Sequence, residues 1–237
     1  MIKLEHVVLA SPEQMKFIIE GMRNPMNSWE KSDSDRCSSI HACDIHYDHC
    51  DKCIHSNKRI GGDFAIGNND HSLMQRLANA GTDHRKFMRM MPVYVRITAP
   101  LYWWKEFDTY RTGVTPNPMD IEMNSCSTMH KIQEKEFTLE DFSCEHLVTA
   151  SLACLNATIE QLNWCRESFL ETKDKGCWWQ MIQLLPNSYN QTRNIMMNYE
   201  VLCNIYCSRK DHKLDEWRDF CKWIEELPYS ELITGGN

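Results

Sequence analysis

No apolar run in this 237-residue chain approaches the roughly 18–20 residues that a membrane-spanning helix needs. The opening Met-Ile-Lys-Leu-Glu-His lacks the basic and apolar regions of a secretory signal, so a cytoplasmic location is expected. Positive charge is scarce as well. With 26 Lys and Arg against 33 Asp and Glu, the formal charge is −7, which argues against a general nucleic-acid binder because neutralising phosphates takes a basic surface. A local basic pocket stays compatible with that total. No internal repeat is present, which excludes solenoids and arrays.

What the chain does have is core-forming material and cysteine. At 42% hydrophobic and 25% charged it is too apolar to be disordered and long enough for one sizeable core. Its 12 cysteines would suggest a disulfide scaffold only in a short secreted chain, so free thiols are expected. Cys154, Cys165, Cys203, Cys207 and Cys221 fall within helical apolar patterns, where cysteine serves as a small buried hydrophobe. None has the His and Asn context that activates a catalytic thiolate.

Cys37, Cys43, Cys50 and Cys53 form a different group, interleaved with His41, His46, His49 and His55 in a polar insertion at about 30–65. Cys50-Asp51-Lys52-Cys53 has the two-residue spacing that places two thiolates on adjacent tetrahedral positions of zinc, whereas the Cys37 to Cys43 spacing is longer than the usual knuckle. Two readings stay open: a structural zinc on these four cysteines, supplying the ordering free energy that the polar segment lacks, or a reduced, mobile loop.

The order of elements is strand first, helix later. Lys3 to Ala10 reads as a strand, and Ser11-Pro12-Glu13 then caps a helix to about Gly21, with Ser at the N-cap, Pro in the first turn and an acid behind it. Residues 28–69 lack periodicity and read as irregular. Asp70 to Ala80 resumes a helix with Gly81 as its stop. Val93, Val95 and Ile97 alternate with Tyr94, Arg96 and Thr98, the pattern of a half-buried strand over Pro92 to Thr98. A helix begins at Ala99-Pro100, with Pro in its first turn, and carries Tyr102, Trp103, Trp104, Lys105, Glu106, Tyr110 and Arg111. These flat and charged side chains suit stacking on a ring and holding an anion, or else form a packed amphipathic helix.

A loop is expected over Thr112 to Asn124, and Thr138 to Asp141 has the outline of a capping box. Helical patterns follow over Glu145 to Thr172, Asn190 to about Ser208 and Lys213 to Glu226. The whole reads as a single α+β domain over 1–237, with a small mostly antiparallel sheet and a predominantly helical C-terminal half.

With the Ala-Pro helix, the Asn-Ser-x-Ser segment and the C-terminal helices in view, the chain resembles the flavin-dependent thymidylate synthases. In that family a Gly and a His precede the second strand, the strand ends at Ala-Pro, and the next helix ends in Arg-His-Arg. Here Gly81, His84 and Ala99-Pro100 match, and Thr109-Tyr110-Arg111 falls on the triplet with only its last Arg kept. Asn124-Ser125-Cys126-Ser127-Thr128-Met129-His130 resembles the Ser- and Asn-bearing segment that contacts flavin and the nucleotide phosphate, without its Glu and Arg. Leu185-Pro186, Asn198, Asn204, Arg209, His212 and Glu216 resemble the family's later positions, and Glu200 stands where the family has Arg.

The resemblance implies reductive methylation of dUMP to dTMP, with methylenetetrahydrofolate as the one-carbon donor, NADPH as reductant and FAD as cofactor, in a homotetramer. It assigns Arg209 to the charge that gathers on the uracil carbonyls, His84, Arg111, Asn198, Asn204 and His212 to cofactor binding, and Glu106, Ser125, Ser127 and Arg209 to the nucleotide. Trp103, Trp104 or Tyr110 would pack near a ring. Arg85, Arg96 and Lys105 are nearby cations able to replace the lost triplet positions. Asn198, Asn204 and Arg209, taken on one helix, are rotated from one another by about 240° and 140°, so they spread round it and can serve two sites. Two alternatives stand beside this reading: a related flavoenzyme acting on another pyrimidine nucleotide, and a zinc-stabilised, non-catalytic binding module. Metal analysis of the purified protein tests the cysteine cluster: one zinc per chain, lost in Cys50→Ser and Cys53→Ser, is the expected result, and a metal-free protein leaves the reduced loop.

Overall fold

In a computed structural model, the described residues are 2–36, 64–110, 121–126 and 128–235. The candidates Cys37, Cys43, Cys50, Cys53, Arg111 and Ser127 lie outside them. The chain divides into two compact units. One consists of Met1–Glu5, Arg96–Thr109 and Met123–Asn194, and the other of His6–Val95, Tyr110–Glu122 and Ile195–Asn237.

The elements are β1 (Lys3–Leu9), α1 (Pro12–Arg23), β2 (Asp35–Arg36), β3 (Phe64–Ala65), α2 (Asn68–Asn79), β4 (Pro92–Pro100), α3 (Leu101–Phe107), β5 (Glu122–Ser125), α4 (Thr128–Lys131), α5 (Thr149–Thr172), α6 (Lys175–Leu184), β6 (Asn190–Asn198), α7 (Tyr199–Arg209), α8 (Asp215–Glu226) and α9 (Glu231–Thr234). The result is α+β. A four-stranded antiparallel sheet has the order β1-β4-β6-β5. Its central ladder is bounded by Tyr199 N–H donating to Met91 O at one end and Leu101 N–H donating to Tyr189 O at the other, so numbers fall along β6 as they rise along β4. The alternation read from β4 holds: Val93, Val95, Ile97 and Ala99 are buried while Tyr94 and Arg96 are exposed.

Four sequence expectations are corrected. Residues 190–198 form strand β6, not the start of a helix, and Asn198 is the N-cap of α7. Only Ile195 and Met197 mark the strand's apolar alternation, too few to show a period of two, and flanking strands on both sides supply the ladder that the local pattern does not announce. Strand β5 takes the end of the segment read as a loop, and strands are therefore not confined to the early chain. The Thr138 capping box closes a single 3-10 turn, Leu139–Asp141, and α5 begins only at Thr149. Pro100 ends β4 and caps α3 from outside the helix, since its fixed φ suits the extended residue as well as the first turn.

In the first unit, α5 and α6 bury Leu155, Ile159, Leu162, Cys165 and Met181 against Ile132, Phe137 and Phe142. Trp103, Trp104 and Phe107 belong to the buried interior and meet one another at 4.9–5.4 Å between ring centroids. Spacings of one and four residues put all three on the inward face of α3, so the two tryptophans are core. All eight described cysteines are free thiols, and Cys165, Cys203 and Cys221 are buried as expected. Cys154 and Cys207 are exposed instead, one helical step off the buried faces of α5 and α7.

The second unit encloses α1, α2, α7, α8 and α9. Ser11 caps α1 with Pro12 and Glu13 in the first turn, as expected, and Gln14 completes a capping box that was not expected. Among the described residues of the stretch read as irregular, β2 and β3 pair Asp35 with Ala65 and Arg36 with Phe64. Asp70 organises the approach. Its carboxylate accepts from Arg23 Nε at 2.5 Å, Ser32 Oγ at 2.8 Å, Ser34 Oγ at 2.6 Å and the backbone N–H groups of Asp33 and Ser34. Asp33 in turn caps α2 through the N–H groups of Asn69 and Asp70. No helix among the described residues is long and apolar enough to cross a membrane.

Burial acts to raise the Asp70 pKa, but hydrogen bonds from Ser34, Ser32 and Arg23 and the Arg23 charge outweigh it and hold the carboxyl below its ordinary value. Its stabilising contribution is thus complete above the unfolded-state pKa and is lost as pH falls through the lower folded value. Asp70→Ala leaves Arg23 buried and unpaired and is expected to lower unfolding free energy by about 3–5 kcal/mol in urea titrations. That deficit should shrink as the titrations are repeated at more acid pH.

Candidate functional site

Gly81 starts the first half of the site. It follows the α2 C-cap with φ +100°, a conformation costly for any residue with a Cβ, and its carbonyl accepts from the N–H groups of His84 at 3.0 Å and Arg85 at 3.1 Å. The tight turn leaves the His84 side chain exposed and aims Arg85 at α7. A 3-10 segment, Lys86–Met90, buries Phe87 and Met88 and carries Arg89 to the same carboxylate, Glu200.

Helix α7 supplies the other half. Asn198 Oδ1 accepts from Val201 N–H at 3.0 Å, closing the first turn, and Arg209 in the last turn complements the helix dipole. Glu200, only 4% exposed, accepts from Arg85 Nε at 3.3 Å and from Arg89 through both Nε and Nη2. Arg85 is held further by Cys203 Sγ at 3.1 Å and Asn204 Oδ1 at 3.3 Å. The amide oxygen of half-buried Asn204 is thus occupied, and its NH2 is the donor it can offer to a ligand. Arg85, Arg89, Glu200, Cys203 and Asn204 form one cluster.

Arg209 lies on a different face, five residues or about 140° on from Asn204. Its Nε donates to Tyr110 Oη at 2.7 Å, and the guanidinium packs over the Trp217 indole at 4.8 Å and the Tyr110 ring at 5.5 Å. A planar cation stacked on rings and fixed by its Nε is oriented in advance for a planar or anionic partner. His212 sits beside it, its ring edge-on to Trp217 and its Nδ1 accepting from Leu214 N–H. Glu216 is buried on the first turn of α8.

The expected residues therefore gather in part. His84, Asn198, Asn204, Arg209 and His212 all belong to one unit, with His84 on the turn after α2, Asn198 and Asn204 at the start and middle of α7, and Arg209 and His212 at and just beyond its end. Glu106, half-buried on α3, and Ser125, exposed on β5, belong to the other unit. Of the three replacement cations, Arg85 joins the cluster, Arg96 is exposed and donates to Asn194 Oδ1, and Lys105 is exposed. Arg89 and the pairing role of Glu200 were missed. The run His84-Arg85-Lys86-Phe87-Met88-Arg89, basic in an acidic chain, was the available signal. Also missed was Arg193, which pairs with Asp108 at 2.8 Å and lies over Trp104 at 4.2 Å, because its segment was read as helix. Among the described residues no group of three or more His, Cys, Asp or Glu is placed to hold a metal ion.

The fold built from these elements is that of the flavin-dependent thymidylate synthases. A crystal structure of ThyX from Helicobacter pylori, complexed with FAD and dUMP, matches 99% of this chain and 98% of its own at TM-score 0.61 and 17% identity. A second structure of ThyX from Helicobacter pylori, also with FAD and dUMP, matches at 0.60 and 16%, over 99% and 97% of the two chains. The UMP/dUMP methylase PolB from Streptomyces cacaoi, bound with 5-Br dUMP, matches at 0.53 and 11%, over 99% and 94%. No protein-family model and no curated protein matches the sequence.

Burial pushes the Cys203 thiol up to about 11 against the opposing pull of the Arg85 charge, so at neutral pH it is a protonated hydrogen-bond partner and no nucleophile. Iodoacetamide at pH 8 is expected to spare Cys203 and to label exposed Cys207, read by peptide mass spectrometry. Labelling of Cys203 at the faster rate would contradict the buried cluster.

Proposed function

We propose that this protein is a flavin-dependent methylase of dUMP, with FAD as cofactor, methylenetetrahydrofolate as one-carbon donor and NADPH as reductant, acting as a cytoplasmic homotetramer. The observation that carries the reading is the match of fold over nearly the full length of both chains to ThyX, whose crystal structures are described with FAD and dUMP. The donor set supports it. An isoalloxazine presents carbonyls and ring nitrogens that accept hydrogen bonds, and the Asn204 amide on α7 and the His84 imidazole on the turn after α2 are donors of the right kind. When bound, the flavin supplies the transfer of reducing equivalents.

The chain's own residues bind and orient. Arg209, fixed by Tyr110 and Trp217, holds the uracil carbonyls and stabilises negative charge gathering there. His84, Asn204 and His212 position the cofactor, and Asn198 sets the start of the helix that carries Asn204. Arg111 and Ser127 would add phosphate contacts, and Glu106 and Ser125 further nucleotide contacts. Asn204 and Arg209 point from different faces of α7, so each protomer supplies parts of two sites, which fits a shared assembly. A second reading, methylation of another pyrimidine nucleotide, is favoured by the acidic Glu200 in a position where the resemblance expects a cation.

The purified protein is expected to be yellow, with flavin absorbance near roughly 450 nm. It should release tritium from the uracil 5-position of labelled dUMP when given reduced FAD and methylenetetrahydrofolate. Arg209→Ala is expected to lower that release by about 10²-fold or more, the size of effect for losing one donor to a developing oxyanion. Release from UMP but not dUMP would establish the second reading, and a colourless protein inert with both would sink the enzyme altogether.

A further inference from the structure

Tyr110 carries a hydroxyl proton that the described residues leave unused. The residue is only 9% exposed, its ring is edge-on to the Trp217 indole at 5.8 Å between centroids, and its oxygen accepts from Arg209 Nε at 2.7 Å. An arginine has donors only, so this contact fills a lone pair of the phenol oxygen and leaves the O–H itself to donate. Among the described residues no acceptor takes that proton. A buried donor with no partner costs desolvation free energy, which an acceptor from outside the chain recovers. The residue is also a departure of this chain, since Tyr110 stands where the family triplet has His.

We propose that Tyr110 is a further catalytic residue, whose hydroxyl donates to the pyrimidine carbonyl that Arg209 holds. This rests on the methylase reading above and deepens it. Arg209 fixes where the phenol donor points. The Nε–H and the adjacent Nη–H of a guanidinium are parallel along one edge of its plane, so an oxygen held by that Nη stands beside the phenol oxygen held by Nε, within reach of the phenol proton. Trp217, fully buried, backs both the guanidinium and the phenol and keeps the pair in this arrangement. Accepting from a cation polarises the O–H and makes it a stronger donor. The proton stays on Tyr110 throughout, and the residue contributes a hydrogen bond only. Because the carbonyl gathers negative charge as the ring reacts, the bond strengthens in the transition state and acts on kcat more than on affinity.

The test uses the full chain loaded with FAD and reads dUMP affinity, tritium-release kcat and melting temperature in parallel. Tyr110→Phe keeps the ring against Trp217 and removes only the hydroxyl. Its kcat should fall roughly 10²-fold, the size for one donor lost to a developing oxyanion, while the dissociation constant for dUMP stays within about threefold. Tyr110→3-fluorotyrosine keeps the oxygen beside Arg209 but makes it a stronger donor and a weaker acceptor, so at a pH where the phenol is protonated turnover should hold or rise. Its fluorine NMR resonance should also shift when dUMP is added. Where Tyr110→Phe lowers the melting temperature, the fluorinated variant decides. An unchanged kcat in Tyr110→Phe overturns the proposal, as does loss of kcat and affinity together, which would make Tyr110 a positioning residue for Arg209. A fall in turnover on fluorination, or a fluorine resonance that dUMP does not move, overturns it too. In each of those cases the wild type still turns over dUMP and the methylase reading stands, whereas a wild type that neither binds nor turns over dUMP or UMP overturns both.

Discussion

The side chain of Asn198 marks the point on which the candidate site turns. Up to that residue the backbone is extended and belongs to a central strand; beyond it the backbone is helical, and the Asn198 carboxamide accepts the first-turn N–H of Val201. Tyr199 N–H is simultaneously the last bond of the ladder to Met91. A cap fixed on both sides leaves no freedom in the phase of α7, so Glu200 must point inward toward Arg85 and Arg89, Asn204 must follow one turn on, and Arg209 must emerge on another face at the end. An error of one residue in that junction would rotate every one of these groups by about 100°.

Charge is arranged round this helix in a way that a total of −7 conceals. Glu200 near the α7 N-terminus meets the positive end of the helix dipole and two guanidiniums, which is why a carboxylate only 4% exposed persists there. At the other end Arg209 meets the negative end of the dipole and two aromatic rings. Both are held by more than one partner, which fixes the plane of each. The buried Arg23 and Asp70 pair uses the same device for a purely structural end, pinning residues 32–34 so that Asp33 can cap α2, the helix that ends at Gly81.

Much of the fold was legible where local chemistry and tertiary demand agree. Ser11-Pro12 starts α1 because a hydroxyl cap and a fixed φ suit a helix start in any context. The alternation of Val93, Val95 and Ile97 made β4 plain, and Gly81 stopped α2 through the one backbone conformation it alone tolerates well. The resemblance located the fold through Gly81, His84, Ala99-Pro100, Asn204 and Arg209 although few residues are shared overall. Reading failed at 190–198, where Asn, Gln, Thr and Met favour no period strongly and neighbouring strands decide the outcome. Trp103 and Trp104 misled because a large ring has the same appearance in sequence whether it packs in a core or under a cofactor.

The sequence by itself determined the class of fold, the ends of the well-marked elements, and which residue types were available at the candidate site. It did so because caps, glycine stops and two-residue alternation act over a few positions of chain. Only tertiary structure decided that Glu200 is paired, that Arg89 joins Arg85 on it, and that Arg209 stacks on Trp217 with Tyr110 as its hydrogen-bond partner. Those partners lie 99 to 115 residues apart for the Glu200 to Arg85 and Arg209 to Tyr110 contacts, and the energy of a buried charge depends on what surrounds it rather than on what adjoins it in sequence.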